Sequence, residues 1–139
     1  LKQLRSNNIT FSILKSDQWK PVKLAVRRSK LKMDLLDTSK KLGLEGYHMN
    51  HCVGSYAYLV DKGHSCIYHL EYDGKPYTIE ITYPNKVYKT KEPRIYQLQQ
   101  VYGHHNSKAP DEVLEYMRNI VKEANQIALD QRSKQKKIA

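Results

Sequence analysis

Ser65-Cys66-Ile67-Tyr68-His69-Leu70-Glu71-Tyr72-Asp73-Gly74-Lys75-Pro76-Tyr77-Thr78-Ile79-Glu80-Ile81-Thr82-Tyr83 is the stretch that decides the fold. Two runs rich in β-formers flank Asp73-Gly74, a dipeptide that favours a tight hairpin because both positions tolerate positive φ. Whether the loop is Asp73-Gly74 alone or runs on through Pro76, even-numbered residues of the first strand pair with odd-numbered residues of the second. Cys66, Tyr68 and Leu70 therefore share a face with Tyr77, Ile79 and Ile81, and that face is the expected core. The other face carries Ser65, Ile67, His69 and Glu71 with Thr78, Glu80 and Thr82. His69 and Glu80 fall opposite or diagonal to one another, within interaction range.

Outward from the hairpin, Lys86 to Pro93 reads as a loop or irregular edge, and Arg94 to Tyr102 as a third strand ending at Gly103. Pro110 opens a helix with Asp111 and Glu112 in the first turn, where the helix dipole favours acids. Val113, Leu114, Met117, Ile120, Val121, Ala124, Ile127 and Ala128 form an apolar stripe at helical period. Arg132 to Lys137 reads as a basic, frayed tail. On the N-terminal side, Ile9 to Leu14 alternates like a short strand. A helix is expected from Pro21, with Val22, Ala25, Val26, Ser29, Met33 and Leu36 on one face and a stop at Gly43. Leu44 to Cys52 then becomes a loop delivering His48 and His51, and Cys52 to Asp61 a short helix closed by Lys62-Gly63. The expected architecture is α+β: a three- to four-stranded, mainly antiparallel sheet packed by a long C-terminal helix and an N-terminal helix. One domain covers 1–131 and a basic tail 132–139.

A chain of 139 residues can bury a core without disulfides or metal. It is 40% hydrophobic and 27% charged, which fits a folded protein and excludes a disordered one. Tyr occurs 11 times against one Phe and one Trp, so tyrosine is the aromatic filler, and its hydroxyls need water or a partner. Starting at Leu1, the chain reads as an excised domain or processed fragment. No apolar run approaches the ~20 residues of a membrane span, so no membrane partner is expected. The two cysteines do not make a disulfide framework, which makes the reducing cytoplasm the expected compartment. Net charge is +10, and residues 1–45 hold eleven Lys/Arg against four acids. Lys23, Arg27, Arg28 and Lys30 are the candidate contacts to DNA or RNA. A lysine-rich solubilising surface accounts for the same charge.

Tyr47-His48-Met49-Asn50-His51-Cys52-Val53-Gly54-Ser55-Tyr56 packs two histidines, a cysteine and a glycine into ten residues, a mixture no amphipathic pattern requires. Gln99-Gln100-Val101-Tyr102-Gly103-His104-His105-Asn106 puts polar side chains at a strand end. The two clusters suggest one site assembled from separate parts of the chain.

Together with Gly63-His64-Ser65-Cys66-Ile67-Tyr68 and Thr78-Ile79-Glu80-Ile81, these blocks resemble the PcfJ-like family of conjugative plasmids, phages and other mobile elements. The resemblance covers roughly Phe11 to Val121; its most specific part is the run from His51 to Tyr56. It implies a mobile-element context and a cytoplasmic protein, and it brings no reaction with it. The motif positions it marks are His51, Cys52, Gly54, Tyr56, Glu80, Gln100, Gly103 and Asn106.

Several chemistries fit these residues. Cys52 at a helix N-terminus would be a stabilised thiolate with His69 or His104 as base, against a plain buried cysteine. His48, His51, Cys52, His64, His104 and His105 are suitable metal ligands by type, but their spacing has no ligand logic, and no metal or other cofactor is assigned. A hydrolase or transferase acting on nucleic acid or nucleotide would use His51, Cys52, Glu80 and Gln100 as catalytic groups. Gly54, Tyr56, His69, Gly103 and Asn106 would then hold substrate. Against this, Glu80 could be a strand glutamate paired with a lysine or with His69, and Gly54 and Gly103 could serve tight turns. A nucleic-acid-associated accessory domain needs only the basic N-terminal third, exposed tyrosines and amide side chains. It leaves the His51-Cys52 block without a role.

Overall fold

The computed structural model describes residues 8–50, 56–83 and 95–138. The fold is α+β, built on one open sheet of four antiparallel strands in the order β1-β2-β3-β4. These are β1 (Lys32–Leu35), β2 (Ser65–Tyr72), β3 (Lys75–Thr82) and β4 (Gln97–Tyr102). Among the described residues four α-helices accompany it: α1 (Lys20–Ser29), α2 (Ser39–Met49), α3 (Tyr56–Asp61) and α4 (Asp111–Ile138).

The hairpin forms as its sequence demands. Asp73 and Gly74 sit at φ 52° and 72°, the two left-handed positions of a two-residue turn that matches strand twist. Glycine takes the second of them without steric cost. The register pairs Cys66 with Ile81, Tyr68 with Ile79 and Leu70 with Tyr77. All six side chains are buried.

That core face is covered by α1 and α4. Tyr72, on the same face, packs its ring 5.5 Å from that of Tyr116 on α4. Val113, Met117, Ile120, Val121, Ala124 and Ala128 are buried in one cluster with Tyr68, Ile79, Ile81 and Val101. Asn125 fixes the approach to β4: its side-chain oxygen accepts from the backbone N–H groups of Ile95 and Tyr96, and its amide donates to the Tyr96 carbonyl. Arg28 of α1 pairs with Glu123 of α4 at 3.2 Å, joining the two helices at the surface.

The N-terminal half departs from expectation in three places. Residues 9–14 are not a strand. Thr10 makes one bridge to Thr38, and the chain then curls into a 3-10 turn, Ser12–Lys15, which buries Phe11 and Leu14 together at a spacing of three. The helix from Pro21 does not reach Gly43. It stops at Ser29, whose hydroxyl bonds back to the Val26 carbonyl, and Lys30 takes the left-handed conformation at φ 59°. Met33 lies in an edge strand and Leu36 directly after it; Met33 and Leu35 alternate with the exposed Lys32 and Asp34 as strand residues do. The third departure is α2, which occupies the expected loop and runs through Gly43. Thr38 caps it by accepting the Lys41 N–H at 3.1 Å. Gly43 points to open space, so it weakens the helix without ending it.

At the C-terminal end the backbone stays helical through Arg132 to Ile138 rather than fraying at Arg132. Arg94, the expected first residue of the third strand, lies outside the described residues, and the strand itself begins at Gln97.

Ile120 is 4% exposed at the centre of the α4 stripe. Replacing it with alanine is expected to cost about 2–5 kcal/mol through lost burial and the cavity left behind. Urea unfolding monitored by circular dichroism measures this directly; a loss below about 1 kcal/mol would place α4 outside the core.

Candidate functional site

On the face of the sheet away from α4, polar side chains alternate with backbone that both neighbouring strands hold in register. Glu80 on β3 lies directly opposite Gln100 on β4. Cross-strand partners of this kind share a face about 5 Å apart. Tyr56, the first residue of α3, donates its hydroxyl to Gln100 Oε1 at 2.9 Å. Ser65 at the start of β2 donates to Glu80 Oε2 at 2.7 Å. Glu80 is 5% exposed. Burial raises its pKa above the ordinary carboxylate range, and the Ser65 hydrogen bond only partly opposes this.

Two residues along β3, Thr78 donates to Glu45 Oε2 at 2.6 Å. Glu45 projects inward from α2 and also accepts from His69 Nδ1 at 2.8 Å. The other ring nitrogen, Nε2, bonds Glu71 Oε1 at 2.7 Å. With a carboxylate at each nitrogen, both must carry hydrogen, so His69 is an imidazolium. The Glu45 hydrogen bond is the main reason its pKa rises to about 9, against the opposing effect of burial; Glu71 adds to the rise. His69 is therefore not paired with Glu80, although the two are diagonal neighbours on one face.

At its C-terminal end α2 closes on Asn50, left-handed at φ 51°. The Asn50 amide donates to His105 Nδ1 at 2.8 Å in the turn that follows β4. His105 and Asn106 are left-handed too, at φ 56° and 58°. Gly103 begins this turn, donating its N–H to the Ser107 carbonyl at 2.9 Å. A Cβ at Gly103 would stand 2.6 Å from Ser107 Oγ, so a side chain there would have to turn that hydroxyl aside.

His51, Cys52 and Gly54 lie outside the described residues. The residues on either side of that segment are both tied to the β4 region: Asn50 to His105, and Tyr56 to Gln100. Of the expected site residues, Tyr56, Glu80 and Gln100 come together on one face. His69 is on the same face with partners of its own. Gly103 and Asn106 stand at the end of β4.

Lys23, Arg27, Arg28 and Lys30 belong to α1 and its cap, on the opposite side of the sheet from α2. Cys66 is fully buried, with its thiol pushed up by burial, and is no nucleophile. Among the described residues, no group of three His, Cys, Asp or Glu is arranged to hold a metal ion.

Sequence reasoning passed over Glu45, Ser65 and Thr78. Leu42, Glu45 and Met49 recur at helical spacing and are all buried, so recognising α2 would have turned Glu45 inward. Ser65 and Thr78 follow from hairpin parity alone.

A groove of about 860 Å³ also runs between β4 and α4, lined by Leu98, Gln100, Leu114, Arg118 and Lys122 among others. Glu80 and Tyr56 do not line it, and Gln100 is the residue that the groove and the buried polar layer share.

The family model described as PcfJ-like protein matches residues 3–121. The chain belongs to the PcfJ-like family. No curated protein and no solved structure matches it. The PcfJ-like match takes in α1, α2, all four strands and the first part of α4, so every residue of the polar layer lies within it. No helix among the described residues is long and apolar enough to cross a membrane.

Since the folded pKa of His69 exceeds its ordinary value of 6.5, its stabilisation is complete below pH 6.5 and is lost as pH climbs through about 9. His69→Gln is expected to cost roughly 3 kcal/mol near pH 6, the lower end for leaving a buried charge unpaired. The deficit should shrink towards pH 10. Urea titrations of both proteins across that range test it, and a deficit independent of pH would contradict the imidazolium assignment.

Proposed function

We propose that this PcfJ-like domain is a nucleic-acid-associated accessory module of a mobile genetic element, working in the cytoplasm, with DNA or RNA as its partner. The observation that carries the reading is the charge on α1. The helix buries Pro21, Val22, Ala25 and Val26 and turns Arg27, Arg28 and Lys30 outward, with Lys23 half-buried beside them. Lys32 continues the series on β1, and none of the four acids of residues 1–45 lies within α1. Among the described residues Arg27 and Lys30 have no ion-pair partner, whereas Arg28 is held by Glu123. Free surface cations on a chain of net charge +10 suit the phosphate backbone.

A second reading is a hydrolase or transferase acting on nucleic acid or nucleotide. It is favoured by the burial of Glu80 with Ser65 as its hydrogen-bond partner and by the adjoining Tyr56–Gln100 pair. Glu80 would act as base or metal ligand, Gln100 would orient substrate, and His51 and Cys52 would supply acid–base or nucleophilic chemistry. The sheet separates this layer from α1, so binding and chemistry are separable by mutation.

Fluorescence anisotropy with labelled DNA and RNA over a salt series tests the first reading. The log–log slope against salt should be steep, and Arg27→Glu with Lys30→Glu should reduce it by roughly 2 while the fold is kept. Loss of binding only on unfolding, or no binding at low salt, would leave a solubilising surface. The same mixtures, incubated with divalent cations and resolved on a denaturing gel, test the second. Intact polymer supports a binding module, and cleavage abolished by Glu80→Gln supports the enzyme.

A further inference from the structure

We infer that the outer C-terminal end of α2, together with the His104–Asn106 turn, is a docking surface for the unstacked bases of single-stranded nucleic acid. The inference rests on the nucleic-acid reading above and adds a second surface, on the other side of the sheet from α1. It starts from an imbalance on α2. The inward side of the helix is occupied by Leu42, Glu45 and Met49. The outward side leaves Leu44 47% exposed and Tyr47 81% exposed, the latter the most exposed large hydrophobic residue among those described. The Tyr47 ring lies 5.5 Å from that of His48, at 75° to it. An aromatic side chain left in water on an otherwise well-anchored helix is a platform on which a base can stack.

The neighbouring turn supplies directional donors. The Asn50 amide donates to Nδ1 of His105, which leaves the Nε2 side of that ring as its donor. His104 crosses it edge to face at 4.0 Å between centroids, and both rings are exposed. Asn50, His105 and Asn106 all hold left-handed φ, which Asn and His adopt more readily than most residues, and Asn50 does so as the cap of α2. The electrostatics agree. Glu45, the one acid of α2, is turned inward and satisfied by His69 and Thr78, so no carboxylate of the helix faces outward; at the far end of the helix Lys40 is exposed and Lys41 is paired with Asp34 and Asp37. A surface bearing a tyrosine, imidazoles and an amide, with the exposed Lys108 just past the turn, fits a single strand, whose bases are free to stack and whose edges accept hydrogen bonds. In a duplex the bases are already stacked on one another.

The test is the affinity of wild type, Tyr47→Ala and Tyr47→Phe for a labelled oligothymidine and for a duplex of equal length. Circular dichroism checks that the variants fold. Tyr47→Ala is expected to weaken oligothymidine binding about tenfold, the effect of losing one stacked base, and to leave duplex binding unchanged. Tyr47→Phe should restore the loss, since it keeps the ring. Equal weakening for both polymers, or none for either, would overturn the docking surface. Wild-type binding to duplex alone would also overturn it while leaving the α1 reading intact. Binding to neither would remove both.

Discussion

The carboxylate of Glu45 is the interaction on which the arrangement of the site depends. It is buried, and it accepts from Thr78 on β3 and from the His69 imidazolium on β2, so α2 is fixed to two strands at once. A buried charge that loses its partner costs several kcal/mol, so α2 cannot slide by a turn along the sheet without paying that penalty. Glu71 on the second nitrogen of His69 holds the ring in one orientation and completes the clamp. With α2 fixed, its last turn falls beside the end of β4, where Asn50 meets His105.

A division of labour between the two faces of the sheet follows. One face, under α1 and α4, is apolar and does the work of folding. The other, under α2 and α3, keeps Ser65, Thr78 and Glu80 buried among polar partners in positions where valine or isoleucine would pack better. Satisfied polar groups can specify a unique arrangement, yet among the described residues the Glu80 carboxyl has a neutral hydroxyl as its donor, and burial disfavours its charge. Residues that lower stability in this way are characteristic of sites kept for function. The basic helix α1 lies on the other side and cannot frame this layer.

Much of the fold was legible, for physical reasons that differ between elements. The hairpin was readable because a loop of Asp73-Gly74 alone and one running through Pro76 give the same parity, and parity alone sorts the faces. The α4 stripe was readable because it spans more than four turns. The segment from Ile9 to Met49 was not, because its apolar spacings fit two periods at once. Ile9, Phe11 and Ile13 alternate like a strand while Phe11 and Leu14 suit a 3-10 turn, and Met33 and Leu36 continue the α1 face while Met33 and Leu35 alternate like a strand. Thr38 was the available signal for a new helix, and Gly43 argued against it although its position in solvent tolerates glycine. For the site, Glu80, Gln100 and Tyr56 stood out as polar groups at unusual places. Glu45 did not, since a glutamate on a helix is ordinary until its face is known.

The proposal that Glu80 is kept for function at the expense of stability is tested most directly by the stability of Glu80→Gln against pH. The substitution retains shape and the possibility of a Ser65 hydrogen bond while removing the buried charge. Because burial raises the Glu80 pKa, its ionised form destabilises the fold once pH exceeds the ordinary value of 4.5. Urea unfolding should show the variant at least as stable as wild type at pH 7, with any gain fading as pH falls towards 4.5. A loss of several kcal/mol at neutral pH would contradict the account and make Glu80 a structural residue.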